Sequence, residues 1–468
     1  MADLKERIAI IGGGPAGLSA AMYLEKKGYT NYVIYEKDNR VGGKCYSPKV
    51  KMGPDGKDER SVEMGAIMGA KTYYAVHECE EFGGATHADG PSMSHIYRDS
   101  AGKQIYPFDL KKDFTIKKFF GLLKLKKALK KLAHLLETKY VGYDVNGHRG
   151  VAEGRYDGLD KTYGNDMKHV EGTNDNLKDL ALPFSEFCKL NKVEPVMRIW
   201  IAPFTSFGYG FFDEMAAAYV LKYLDLATTL EFVNIRLWTW KEGTQSIYEA
   251  VNKKLQHPAI LNTQVAKVER GEKVKLTLKD KEGEKVEEFD KLIVTTPLDQ
   301  FLTYADASEE EKNLFSKIIH EEYVDFLATF APGKGPDISA YIFDNMVPDK
   351  VGHAMVYYHR WHDLGSDCPC TVYTLRNHKG VSKITYEEAI KIETEDMAKC
   401  GFPVASRPIE WETYYCPHVS TQEYANGWYD KLDKLQGVKN TYYGGEVLGF
   451  GDMEETVEVS KDLVGRFF

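Results

Sequence analysis

The residues from Arg7 to Glu36 constrain this chain more than any other stretch. Arg7-Ile8-Ala9-Ile10-Ile11 is a short apolar run, the pattern of a strand buried on both faces of a parallel sheet. It leads into Gly12-Gly13-Gly14-Pro15-Ala16-Gly17, and then into a helix that starts Leu18-Ser19-Ala20-Ala21-Met22-Tyr23-Leu24. Gly12 permits a tight turn, Gly14 lets the backbone approach a pyrophosphate, and Gly17 allows close helix–strand packing. The diphosphate then rests on free N–H groups at the helix N-terminus, where the macrodipole favours an anion. A second strand, Tyr32-Val33-Ile34-Tyr35, ends in Glu36, 19 residues after Gly17. That is close to the separation of about 20 expected for a carboxylate that holds a ribose diol. Together these features specify a dinucleotide-binding βαβ unit without separating NAD from FAD.

The following segments resemble the FAD-containing amine oxidoreductase superfamily. Arg40-Val41-Gly42-Gly43-Lys44 matches its R-x-G-G element, and Glu63-Met64-Gly65-Ala66, followed by Ile67, its acidic-x-G-A segment near the flavin. Thr263-Gln264-Val265 resembles the strand whose valine backbone meets adenine. Leu292–Pro297 resembles the strand ending in T-x-P, and Tyr443-Gly444-Gly445-Glu446 the x-G-E motif whose acid meets the ribityl chain. The resemblance implies FAD held by Gly12, Gly14, Pro15, Ala16, Gly17, Glu36, Lys37, Gly42, Gly43, Lys44, Met64, Gly65, Ala66, Ile67, Val265, Thr296, Gly445 and Glu446. The flavin-linking cysteine signature of covalent monoamine oxidases is not identified, so non-covalent FAD is expected; the active-site lysine of that group is not placed either.

These motifs recur at both ends and in the middle of 468 residues, so the cofactor domain is expected to be discontinuous. The fold class is α/β, α+β overall. Residues 1–85, 233–303 and 432–468 form the Rossmann-type FAD domain. Residues 107–232 form a mostly helical insertion, and 86–106 with 304–431 a mixed-sheet substrate domain, amine-oxidase-like. Apolar residues make up 43% of the chain, enough for sizeable cores. A net charge of −9 argues against generic binding to nucleic-acid phosphates. The start MADLKERIAII is not built like a signal peptide, and no long uninterrupted apolar run occurs, so a cytoplasmic protein is expected. Seven thinly spread cysteines fit free thiols in a reducing compartment.

Within the first insertion, Lys111 to Tyr140 reads as a helix with leucines at 122, 125, 129, 132, 135 and 136. Its polar face carries lysines at 111, 112, 117, 118, 124, 126, 127, 130, 131 and 139. Two readings stand: a solvated face, or an interfacial helix that makes peripheral contact with anionic lipid. Gly53–Glu59 and Asp280–Lys285 read as hairpin tips or surface loops. His359 and His362 form an H-x-x-H that could ligand a metal from one helix face, but no third ligand sits at zinc spacing, so no metal is expected. Cys368-Pro369-Cys370, too close for a zinc or redox pair, reads as free surface thiols. No G-x-S-x-G nucleophile elbow occurs.

At whole-chain level the sequence resembles the bacterial FAD-dependent linoleate isomerases that make conjugated linoleic acid. The strings GGKCYSP (42–48), EMGAIMG (63–69), TKYVGYDVNGH (138–148), PFTSFGYGFF (203–212), LWTWKEGTQ (237–245) and HAMVYYHRW (353–361) carry the match. The resemblance implies a polyunsaturated free fatty acid whose bis-allylic methylene gives hydride to flavin N5 and regains it at another carbon. It further implies Phe207 as a gate, Phe232 over the reacting double bonds, and Phe204 and Trp240 against the substrate. The family's carboxylate-binding arginine follows a G-P pair. Here Gly90-Pro91 leads to His95, with Arg98 nearby; Arg98 is the favoured anchor because arginine stays charged. The alternatives are an FAD-dependent oxidase or desaturase of the same superfamily, and a non-catalytic flavin or lipid binder. Oligomeric state is not fixed by the sequence.

Overall fold

A computed structural model of the chain describes residues 4–53, 56–85, 94–140, 148–151, 168–173, 177–224, 226–233 and 236–468. Gly90-Pro91 and most of the string at 138–148 lie outside these residues.

The run Ile8–Ile11 is one of two inner strands of a parallel sheet that has four strands among the described residues, in the order Tyr32–Tyr35, Ile8–Ile11, Lys291–Val294, Thr441–Tyr443. Ile8 is opposite both Tyr32 and Lys291, and Leu292 is opposite Thr441. Segments hundreds of residues apart therefore meet in one layer. Ile8, Ala9 and Ile10 are fully buried, as expected of a central strand covered on both faces. The helix Pro15–Lys26 packs against the C-terminal helix Met453–Phe467. Ser460 Oγ donates to the Ala16 carbonyl at 2.9 Å across that contact.

An antiparallel meander, Gln264–Arg270, Val274–Asp280 and Gly283–Phe289, follows, and its second turn falls at 281–282 as the charge-rich sequence requires. Strands Lys49–Met52 and Asp58–Ser61 likewise pair around the glycine-rich tip read from sequence. Among the described residues the largest sheet has seven strands, in the order Ser406–Val419, Ile318–Thr329, Cys370–Leu375, Val356–His359, Ser339–Ile342, His95–Arg98, Gln104–Ile105. His95–Arg98 pairs in parallel with Ser339–Ile342, which ties the early segment to the late one. Helices Phe184–Asn191, Met197–Thr205 and Ala217–Tyr223 fill the insertion, with Phe184 stacked on buried Trp200 at 5.5 Å. Among the described residues no helix is long and apolar enough to cross a membrane.

Three expectations are corrected. The basic helix spans Ile116–Thr138 and does not start at Lys111, because Thr115 caps it by accepting the Lys118 N–H at 3.1 Å. His359 and His362 share no helix face: His359 ends a strand, and its Nε2 pairs with the Gly365 carbonyl at 2.8 Å. Cys368 and Cys370 are fully buried, because the chain enters an inner strand of the seven-stranded sheet there. Burial pushes the Cys368 thiol up to about 11.

Candidate active site

A cavity of about 760 Å³ runs from the end of the first strand to the helical insertion. Its outer part is lined by Gly12, Gly14, Pro15, Ala16, Glu36, Lys37, Gly43, Lys44, Gly65, Ala66, Ile67, Val265, Thr296 and Glu446. Gly12 holds φ +112° beneath the strand end, where an added Cβ would lie 2.7 Å from Thr295 Oγ1. Gly14 is the N-cap of Pro15–Lys26, which has no side-chain cap and no acid in its first turn. The orphan N–H groups of that turn face a wall with room for an anion. Gly14 and Gly43 pass close: a Cβ on Gly43 would come 3.2 Å from the Gly14 Cα.

Glu36 is buried, and its two carboxylate oxygens accept the N–H groups of Gly13 at 2.7 Å and Asp38 at 2.9 Å. Each oxygen keeps a lone pair for a further donor. Glu446 pairs with Lys44 and accepts the Cys416 N–H at 3.1 Å.

The inner part is aromatic. Phe207, Tyr73, Tyr209, Tyr223, Tyr323 and Tyr415 line it. Tyr209 stacks on Tyr223 with ring centroids 4.2 Å apart, and Tyr323 on Tyr415 at 5.4 Å. Burial pushes the hydroxyls of Tyr73, Tyr209, Tyr223, Tyr323 and Tyr415 far up, so they stay neutral. No histidine lines the described cavity, and its lysines, Lys37 and Lys44, belong to the outer part. Gly451, Asp452 and Met453 bring the N-terminus of the C-terminal helix to the wall; Asp452 caps that helix by accepting the Glu455 N–H at 2.8 Å.

A model of the flavin containing amine oxidoreductase family matches residues 15–325, well over half of the chain. The chain belongs to this family. Among solved structures, a CLA-producing fatty acid isomerase from P. acnes is 41% identical, with TM-score 0.86 and full coverage of both chains. A putrescine oxidase variant, 13% identical over 98% of both chains with TM-score 0.66, shares the fold. A polyenoic fatty acid isomerase of Ptilota filicina is 56% identical over 45 residues, which is 10% of this chain and 9% of that one. The FAD-dependent oxidoreductase oblC of Cochliobolus heterostrophus is 24% identical over 94% of this chain and 86% of its own.

This member of the flavin containing amine oxidoreductases is an FAD-dependent enzyme, and the outer cavity fits that cofactor. An uncapped helix N-terminus and a glycine cradle suit the diphosphate, and the buried Glu36 carboxylate suits a ribose diol. The other residues expected at the cofactor stand one layer behind the wall. Gly17 lies against the Gly12 carbonyl, where a Cβ would come within 1.9 Å. Gly42 donates its N–H to the Gly13 carbonyl at 2.9 Å. Met64 is fully buried, and Gly445, at φ +90°, leaves no room for a side chain, since a Cβ there would lie 2.9 Å from the Thr295 carbonyl oxygen.

The expected substrate residues divide. Phe207 lines the cavity. Phe204 lies behind Tyr209 at 5.4 Å, and Phe232 meets Tyr223 edge-on at 6.5 Å. His95 meets Tyr341 edge-on at 4.9 Å, and Tyr341 in turn meets Phe207. Arg98 and Trp240 are not brought to the cavity. The Arg98 guanidinium is engaged by the Tyr357 hydroxyl at 2.8 Å and the Gly102 carbonyl at 2.5 Å. Trp240 Nε1 donates to Glu80 at 2.6 Å within another core. Tyr223, Tyr323, Tyr415 and Asp452 line the cavity and stand outside the expectations that the sequence supports. Only Asp452 carried a local signal, an N-cap type followed three residues later by Glu455.

Proposed function

We propose that the enzyme moves a double bond of a polyunsaturated free fatty acid into conjugation. The observation that carries this reading is the full-length likeness, at 41% identity, to a CLA-producing fatty acid isomerase. The inner cavity supports it: a bis-allylic methylene is too weak an acid for any ordinary base, the Asp452 carboxylate on this wall included, and the tyrosines there stay neutral. When bound, FAD supplies a two-electron acceptor and donor at N5, so hydride can leave one substrate carbon and return to another.

The protein's part is binding, orientation and exclusion of water. Stacked Tyr209 and Tyr223 present electron-rich faces to a substrate that carries positive charge during the shift; such a contact is worth about 2 kcal/mol when desolvated. Phe207 gates the aromatic end. Phe232 and Phe204 act through the rings of Tyr223 and Tyr209 that they support. Burial of the alkyl chain supplies about 0.8 kcal/mol per methylene, so affinity depends little on one head-group ion pair. His95, on the ring row that leaves Phe207, is the better placed of the two head-group candidates.

Anaerobic incubation of the flavin-loaded enzyme with a panel of polyunsaturated acids, followed by conjugated-diene absorbance, tests the reading. Diene formation without oxygen uptake, with deuterium from the bis-allylic carbon retained in the product, is expected. Untouched acids together with peroxide formed from an amine would establish the oxidase alternative instead, and complete exchange of the label with solvent would remove the hydride route.

A further inference from the structure

The helix Ile116–Thr138 is apolar on two opposite sides. At about 100° per residue, Leu125, Ala128, Leu132 and Leu136 share one side, and all four are buried against the body. Ile116, Phe119, Phe120 and Leu123 fall on the side roughly opposite. They are exposed, Ile116 at 70% and Phe120 at 55%, and neighbouring Phe114 is exposed as well. Further along, the same outer side continues through Lys127, Lys130 and Lys131, all exposed. Between Ile116 and Leu136 the sequence holds seven lysines and no acidic residue, in a chain of net charge −9.

We propose that this outer side docks the protein on an anionic lipid bilayer, with the Phe119–Phe120 tip entering the headgroup boundary and the lysines on its surface. A solvated helix face has no use for four large apolar side chains in succession. An interfacial helix needs that apolar end followed by cations. Charge complementarity selects an anionic surface over a zwitterionic one.

The position of the tip supplies a second argument. Lys118 Nζ donates to the carbonyls of Tyr106, Asp109 and Asp113, which clamps the preceding loop onto the start of the helix. Phe108 of that loop meets Tyr97 edge-on at 5.6 Å, Tyr97 stacks on Tyr341 at 5.8 Å, and Tyr341 meets Phe207 at 6.1 Å. An unbroken row of rings thus joins the loop clamped to the tip to the cavity wall. A lipid surface held at the tip lies at the outer end of that row.

Flotation of the flavin-loaded protein with phosphatidylcholine vesicles, with and without phosphatidylglycerol, tests the proposal. The wild type is expected to float with the phosphatidylglycerol vesicles and to release as salt is raised. F119S/F120S and K127E/K130E/K131E, with unchanged flavin absorbance, are expected to bind at least about tenfold more weakly. Ile116→Trp gives a readout that spares the other side chains: its emission should shift to the blue on the same vesicles, and brominated acyl chains should quench it. Wild type that stays unbound, variants that float equally well, or an unshifted tryptophan would overturn the proposal. So would sedimentation showing a wild-type dimer that F119S/F120S converts to monomer without any flotation, since a second copy would then cover this face.

Discussion

Tyr209 and Tyr223 stack face to face, centroids 4.2 Å apart and planes at 28°, although one sits in a Gly-Tyr-Gly turn and the other near the end of a helix. Gly208 and Gly210 flank Tyr209 with φ +84° and +86°, a backbone path that needs glycine and turns the ring inward. Both hydroxyls are kept neutral by burial, so the pair offers ring faces and no proton acceptor. Y223F is accordingly expected to keep nearly full activity. Y223L should lower kcat by about 30-fold, the equivalent of a lost desolvated contact of about 2 kcal/mol, with less change in KM. Rates per bound flavin check this, and equal losses in Y223F and Y223L would show that the ring face is not what matters.

Gly14 and Gly17, three residues apart, are expected to fail in different ways when changed to alanine. A Cβ on Gly17 would come within 1.9 Å of the Gly12 carbonyl, so G17A must push the helix off the strand and should impair folding itself. A Cβ on Gly14 meets nothing closer than 3.6 Å and φ there is −82°, so the protein accommodates it. It occupies the space a diphosphate would enter. G14A should therefore purify folded but poor in flavin, with an apoprotein melting temperature near wild type. A flavin-replete G14A would contradict the assignment of that cradle.

Glu36 gives a complementary test. Its carboxylate accepts two backbone N–H groups while lining the cavity, so it shapes the glycine turn as well as offering lone pairs to a ribose. E36A is expected to weaken FAD affinity by at least about tenfold, the loss of charge-assisted hydrogen bonds of about 1.5–3 kcal/mol. E36Q, able to accept but uncharged, should fall between. Flavin fluorescence on titration into apoprotein reads both.

What the sequence discloses follows from how local the signal is. The strand, glycines, helix and Glu36 lie within one supersecondary unit, and each has a mechanical role that its spacing reveals. The buried side of the basic helix is legible too, since Leu125, Leu132 and Leu136 repeat at helical spacing. Tyr323 and Tyr415 are not legible: among 30 tyrosines no local pattern marks those two, and they meet only because distant strands pair, with Tyr415 opposite Glu321. Arg98 shows the converse. Its charge suggested a head-group anchor, but its direction is set by Tyr357, a residue 259 positions away. The turn-like composition around Cys368 pointed to the surface for the same reason, because burial there comes from neighbouring strands of the sheet.

Acid stability should report the network that fastens the last sheet strand. Arg270 bonds both oxygens of Glu311, at 2.6 and 2.8 Å, and the Tyr443 hydroxyl at 2.9 Å, and Tyr443 also bonds Glu311. Burial alone would raise the Glu311 carboxyl, but the bonds from Arg270 and Tyr443 outweigh it and hold the group at about 2, against 4.5 for the free side chain. As pH falls, the unfolded chain binds this proton first. The stability contributed by Glu311 is therefore complete above 4.5 and is lost progressively as pH drops toward about 2. Buried His418 adds to the loss at milder pH: burial lowers it from 6.5 to about 4, so unfolding takes up a proton between those values. E311Q should remove the Glu311 share of the decline below 4.5 and cost about 1–3 kcal/mol at neutral pH, because the buried Arg270 guanidinium loses one of its two carboxylate partners while Asp306 stays at 2.6 Å. Urea midpoints measured from neutral pH downward distinguish the two groups: E311Q should flatten the curve below 4.5 while leaving the slope between 6.5 and 4.5 in place.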